Sequence, residues 1–244
     1  MNKIIKVFML LAIISFLMVT VSCDSEKKTW LKNLLPAEKS EFRSGDIPEE
    51  RIENLEKGIA FYEGEVERTI KASKQIGIYY RMLALEYMSL EMYNEALKSL
   101  EQAVTYFPTS ALLYYYAAVS AAQMINAVMD SEQAGSYLNK AEKLYLRAIA
   151  LDPRHSQALY GLSVLYIFEL NRPLDAEPLL ERLINTSRVN YDAMFLLARV
   201  KILKGEIDAA IDLYSKIEEG ASDEEVKRKA IDNRRQLLGG FADG

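Results

Sequence analysis

Between residues 52 and 70 the apolar positions Ile52, Leu55, Ile59, Tyr62, Val66 and Ile70 recur mostly at alternating steps of three and four. That is the period of an α-helix with one apolar face. Asp46, Pro48 and Glu49 supply start signals, so the pattern predicts a helix over 47–76. The same period then continues in a more ordered way. Tyr80, Leu83, Ala84 and Tyr87 share one helical face, and Ala96, Leu100 and Ala103 share another. Ala84, Ala96 and Ala103 are small enough to let two antiparallel helices approach closely. Pro108 cannot continue the second helix and forces its exit.

The unit that results, Gly77 to Ser110, is 34 residues long, and it recurs. A second unit spans 111–155, with Tyr114, Ala117, Ala118 and Ala121 on its first helix. Ala141, Tyr145 and Ala148 mark its second helix, which closes on Asp152-Pro153. Its two helices are separated by 11 extra residues with no strong breaker except Gly135. One or both helices are therefore expected to be about two turns longer, with the connection near Asp130-Ser131. A third unit spans 156–190. Leu159, Leu162, Ser163 and Tyr166 mark its first helix; Ala176, Leu180 and Leu183 mark its second. One extra residue is expected near Asn171-Arg172-Pro173, and Pro178 early in the second helix. A fourth unit spans 191–224, with Met194, Leu197 and Ala198, a turn at Gly205, then Ala210, Tyr214 and Ile217.

Four units in register resemble the tetratricopeptide repeat, and "KAEKLYLRAIALDP" at 140–153 is the most typical stretch. The resemblance implies an all-α fold, a right-handed α–α superhelix, over 77–224. Such a stack needs capped ends, because terminal repeats otherwise expose their apolar faces. Ser222 with Glu225 reads as a capping box that opens a closing helix over 225–239. At the other end the 47–76 helix is expected to pack as the cap, either alone or as half of a degenerate repeat.

The N-terminus has a different pattern. Lys3 and Lys6 precede an apolar run from Val7 to Val21. The run is about 15 residues, short of the roughly 20 that a spanning helix needs, so it reads as a signal peptide over 1–22 rather than a retained anchor. The only cysteine, Cys23, sits where the run stops. Thr20-Val21-Ser22-Cys23 resembles the lipobox of bacterial lipoproteins, with Thr20 in place of the preferred Leu. That resemblance implies acylation of Cys23 and a place in the bacterial cell envelope, membrane-attached and facing the periplasm. Residues 23–46 are charged with little periodicity and read as a flexible tether. The exception is Trp30, Leu31, Leu34 and Leu35, a group expected to dock on the folded body, with a place at the membrane interface as the alternative.

Composition removes several classes of function. Among 244 residues the net charge is −5, so no basic surface for nucleic acid is implied. One histidine and one cysteine exclude most metal sites and any internal disulfide. The sequence has no Gly-rich phosphate loop. His155 is the only imidazole, and it falls in a turn expected to be solvated. Neither an enzyme nor a bound cofactor is expected.

In the tetratricopeptide resemblance the first helix of each pair lines an inner groove. The positions that map there are Arg81, Leu85 and Met88; Tyr115, Tyr116 and Val119; Tyr160, Val164 and Phe168; and Phe195 and Arg199. Some relatives hold a C-terminal carboxylate with Lys, Asn and Arg in this groove. Of the matching positions here, Arg81, Leu85, Tyr116, Gln157 and Gly161, only the first is cationic. The expected groove is instead apolar and aromatic, suited to a protein or peptide partner. The leading expectation is a lipid-anchored envelope adaptor. The second is an accessory of a periplasmic solute transport system, to which the lengthened second unit points. Self-association is left open.

Overall fold

The computed structural model describes residues 49–186 and 190–239. Cys23, the signal peptide expected over 1–22 and the tether expected over 23–46 lie outside the described residues. The chain divides into two compact units, Met1–Ala72 and Ser73–Gly244. Among the described residues there are nine α-helices and no strand.

The first helix, α1, runs Glu49–Ser89. It is 41 residues long, about 62 Å at 1.5 Å per residue. The expectation of a separate capping helix over 47–76 is therefore corrected, because no helix break occurs at Gly77. Nothing between Ile70 and Tyr80 breaks a helix strongly, and Gly77 serves packing instead of a turn. A Cβ at Gly77 would lie 2.6 Å from Phe107 Cε2 and 2.6 Å from Tyr106 Cβ. The described part of the first unit is the N-terminal portion of α1. Its exposed surface carries the pairs Lys57–Glu53 at 2.6 Å, Arg68–Glu65 at 3.0 Å and Lys71–Glu67 at 2.7 Å. Such exposed pairs add little to stability, because water and salt screen them.

In the second unit the C-terminal part of α1 is followed by α2 (Tyr93–Tyr106), α3 (Ala111–Ile125), α4 (Ser131–Leu151) and α5 (Ser156–Val164). A single π turn, Leu165–Glu169, continues α5. Then come α6 (Pro173–Thr186), α7 (Tyr191–Leu203), α8 (Ile207–Gly220) and α9 (Glu224–Gly239). Sequential helices pack on one another, so the core is a continuous ribbon running between them. Leu100, Leu113, Leu159, Leu162, Leu180, Leu183 and Ile217 are fully buried. Each contributes roughly 1.5–3 kcal/mol by leaving water. Alanines at 84, 96, 103, 118, 121, 141, 148, 158, 176, 193, 198 and 210 are all 0% exposed, which is what close helix approach requires.

The 11 extra residues of the second pair go mainly into one helix. α4 has 21 residues where α2, α6 and α8 have 14 each, a gain of two turns. The connection falls at 126–130, and Asp130 caps α4 by accepting from the Glu132 N–H at 3.1 Å.

The extra residue of the third pair is not in its turn. Glu91, Asn171 and Gly205 all adopt left-handed φ values of 58°, 49° and 78°, so three turns share one geometry. Asn171 nevertheless comes 15 residues after Ser156, while Glu91 and Gly205 come 14 after Gly77 and Tyr191. The closing hydrogen bond shows the same slip. Met92 N–H donates to Tyr87 O at 2.8 Å and Glu206 N–H to Lys201 O at 2.9 Å, five residues back. Arg172 N–H donates to Tyr166 O at 2.8 Å, six residues back. The surplus residue is absorbed by the π turn. Leu165 and Tyr166 are both buried there, where the fourth pair has Val200 alone.

Two further expectations change, while Pro178 keeps its place early in α6. α9 is capped by Asp223 rather than Ser222: its Oδ1 accepts from Glu225 N–H at 2.7 Å and Val226 N–H at 3.3 Å. A carboxylate is a strong acceptor for first-turn N–H groups and also complements the helix dipole. Pro178 falls in the second turn of α6, since that helix begins at Pro173. His155 is buried, not solvated. Its Nδ1 accepts from Ala158 N–H at 3.3 Å, which makes it the N-cap of α5.

α6 and α7 are also joined by charge. Lys201 meets Glu177, Glu206 at 2.9 Å and Glu181 at 3.3 Å. Lys204 meets Glu177 at 2.8 Å and Glu206 at 2.7 Å. Hydrogen bonds from Lys201 and Lys204 hold the Glu177 carboxyl below the usual carboxylate range.

Candidate functional site

The first helices of the later pairs turn a row of aromatic side chains to one side, and two adjoining clefts result. The larger, about 410 Å³, is walled by α5 with its π turn, α7, α8 and α9. Tyr160, Phe168, Phe195 and Tyr214 form its aromatic lining, with Leu196, Ile202 and Leu237. Polar groups sit among them: Arg199 and Asp192 from α7, and Lys229, Asn233 and Gln236 from α9. The smaller, about 270 Å³, lies between α3, α4 and α5 and includes Val119, Val164 and Glu169. Tyr160 borders both.

Each side chain has a local reason for its place. Phe168 lies within the π turn and remains half exposed, 52%. The Arg199 guanidinium lies 5.3 Å from the centre of its ring, an attraction between a cation and a π face. Phe195 rests on Tyr214 at 5.9 Å between ring centres. Tyr214 is itself buried, and burial raises its phenol pKa while a hydrogen bond with Asn233 of α9 opposes that shift. Burial, and then Asp192, raises the Tyr160 phenol. These hydroxyls therefore stay protonated at neutral pH and act as hydrogen-bonding groups.

The expected groove residues fall into three groups. Tyr160, Phe168, Phe195 and Arg199 meet in the larger cleft, and Val119, Tyr160 and Val164 in the smaller. Tyr115 and Tyr116 pack together at 5.4 Å, and Tyr115 also lies 5.1 Å from the His155 ring and 6.4 Å from Tyr145. Both are half-buried against the core, so they line neither cleft. Arg81, Leu85 and Met88 on α1 line neither cleft; the first two are exposed and Met88 packs on the core. Cys23 lies outside the described residues.

Sequence reasoning missed the contribution of α9. Lys229, Asn233, Gln236 and Leu237 recur at steps of four, three and one, a single helical face. That spacing was readable, but its direction depends on how the closing helix packs. Among the described residues no group of His, Cys, Asp or Glu is arranged to hold a metal ion. Also among them, no helix is long and apolar enough to cross a membrane. The chemistry on offer is a partly apolar cleft with aromatic walls, two cations, one carboxylate and two amides. Such a surface seats an apolar side chain and orients the backbone around it.

Comparison with known proteins agrees with the repeat reading. Tetratricopeptide repeat family models match residues 78–110 and 168–225. A TPR repeat-containing protein of Borreliella burgdorferi is 21% identical over 207 residues, covering 85% of this chain and 90% of the relative. Among solved structures, a thermophilic TPR protein of Thermus thermophilus aligns with TM-score 0.53 at 20% identity, over 73% of this chain and 95% of that one. YrrB, a TPR protein with an unusual peptide-binding site, aligns with TM-score 0.55 at 18% identity, over 72% of this chain and 83% of that one. The described residues are thus all-helical with the fold of a tetratricopeptide solenoid, and two stretches, 78–110 and 168–225, match tetratricopeptide repeat models.

Proposed function

We propose that the protein is a tetratricopeptide scaffold that holds a segment of another protein in the cleft between α5, α7 and α9. The observation that carries this reading is the convergence of Phe168, Phe195, Tyr160 and Arg199 on one open cleft. Aromatic residues and arginine are the types that dominate binding energy at protein interfaces. A partner segment with a bulky apolar side chain beside an acidic group fits the aromatic walls and the cations Arg199 and Lys229. The peptide-binding relative YrrB supports the use of this fold for such a purpose.

The scaffold is attached to a bacterial membrane through lipid on Cys23 and faces the periplasm. This part of the proposal rests on the apolar run that ends at the chain's only cysteine. A second reading, an accessory of a periplasmic solute transport system, is favoured by the two-turn lengthening of α4.

Phe168→Ala combined with Arg199→Ala tests the cleft. Both side chains are exposed, so the helical signal stays intact. Affinity capture from membranes is expected to lose its specific partner by tenfold or more, since one interface anchor is worth about 2 kcal/mol. Unchanged capture removes the cleft from consideration. Recovery of a solute-binding protein with the wild type, and its loss with the double variant, selects the transport reading. For the anchor, Cys23→Ala is expected to abolish labelling by a fatty-acid analogue and to release the protein from the membrane fraction. Equal labelling of wild type and variant refutes lipidation there.

A further inference from the structure

In the first unit the apolar face of α1 is open. Ile52, Leu55, Ile59, Val66 and Ile70 stand 42–58% exposed, all on one side of the helix. An amphipathic helix owes most of its stability to packing that face. The surroundings of the face are acidic. Residues 49–70 hold seven Glu against three Lys and Arg. Glu53, Glu65 and Glu67 are paired with Lys57, Arg68 and Lys71. Glu56 and Glu63, seven residues apart, border the same edge of the stripe, and no ion pair is found for either among the described residues. Two copies of this face laid antiparallel would bring Glu56 and Glu63 against one another, so a second copy is a poor occupant.

The complementary chemistry lies just upstream. Residues 27–35 read Lys-Lys-Thr-Trp-Leu-Lys-Asn-Leu-Leu, with three lysines, four large apolar residues and no acid. Trp30, Leu31, Leu34 and Leu35 have the spacing of a single helical face. We infer that this segment docks on α1 between Ile52 and Ile70, its apolar residues on the stripe and its lysines toward Glu56 and Glu63. The geometry allows it. Residues 36–48 connect the two and can span roughly 43 Å when extended. The stripe is only about 27 Å long at 1.5 Å per residue. Pro36 and Pro48 bracket the connector in sequence, and proline is a residue type that ends or opens a helix. The docking holds whether or not Cys23 carries lipid.

Trp30 is the chain's only tryptophan, so the full chain reports on itself. Docking gives blue-shifted emission that an aqueous quencher reaches poorly. Ile59→Lys is expected to shift the emission to the red and raise quenching. Glu56→Lys with Glu63→Lys, two surface changes that leave the helical signal intact, is expected to do the same. Adding Lys28→Glu and Lys32→Glu to that pair is expected to restore protection. The inference is overturned if Trp30 is equally exposed in wild type and Ile59→Lys. It is also overturned if protection appears only with anionic phospholipid vesicles, or only together with a concentration-dependent dimer in sedimentation.

Discussion

Leu83 and Leu197 hold the same place in their helix pairs, six residues after Gly77 and Tyr191. Leu197 is 5% exposed and Leu83 is 42% exposed. The repeat pattern is the same at both, so the difference comes from their neighbours. At the C-terminal end α9 covers the last pair. Ala230 is buried, Val226 and Leu237 pack on the core, and Arg234 pairs with Glu218 at 2.7 Å. In the first pair Tyr79, Met82 and Leu83 all remain largely exposed. A repeat's sequence specifies which face is apolar, and only the adjoining element determines whether that face is buried.

Removing the closing element is the largest perturbation of this contrast. A chain ending at Gly220 lacks α9 and uncovers Tyr214 and the groove wall beneath it. The expected loss is on the order of 5 kcal/mol, because Val226 and Leu237 leave the core and Tyr214 loses its cover, at roughly 1.5–3 kcal/mol for a large apolar side chain. Loss of the steep part of the thermal unfolding curve is the readout. If the truncated chain melts like the full one, the two ends are equivalent after all.

The paired leucines sharpen the contrast at single-residue scale. Leu197→Ala is expected to cost about 2–5 kcal/mol, the usual range for a filled core site. Leu83→Ala is expected to cost less than about 1 kcal/mol, because little area is lost from a side chain already in water. Urea unfolding of the two variants measures both, and similar values would show that Leu83 is covered in solution.

The smallest effect concerns the charged seam between α6 and α7. Glu177 has a folded pKa below its ordinary value of 4.5, so its stabilising contribution is present above that pH. The contribution is lost as pH falls through the lowered folded value. Glu177→Gln is therefore expected to be less stable than wild type at neutral pH, by about 1 kcal/mol for a partly buried seam that water still screens. The gap should close as the medium is acidified below pH 4.5. A gap that persists in acid means the glutamate acts through packing instead of charge.

Much of the stack was legible in the sequence because a helical stripe needs only periodicity. Ala96, Leu100, Leu162, Leu180 and Ile217 announce themselves by spacing, and all are buried. The connection before Ser131 was readable from Asp130, a good N-cap beside a stretch without another break. The continuity of α1 through Gly77 was harder to read. A glycine there signals a boundary by propensity, whereas its use is the close approach of Phe107. The spacing of Phe168 and Phe195 was legible, and both line the larger cleft; the α9 side of that cleft was not legible, since it arises from packing between distant helices. His155 looked like a solvated turn residue because its burial depends on Tyr115, 40 residues earlier.

The surplus residue in the third pair has a consequence beyond this molecule. A one-residue insertion in an α-helix turns everything beyond it by roughly 100°. Here that rotation is confined to one widened turn, and the loop and the following helix keep the geometry of their siblings. A single codon is enough to swing a cleft-lining side chain such as Phe168 to a new bearing while the scaffold stays in register. Repeat arrays can thus acquire new specificities by changes of length as well as of residue type, and a one-residue deletion between Leu165 and Glu169 would reset the dial.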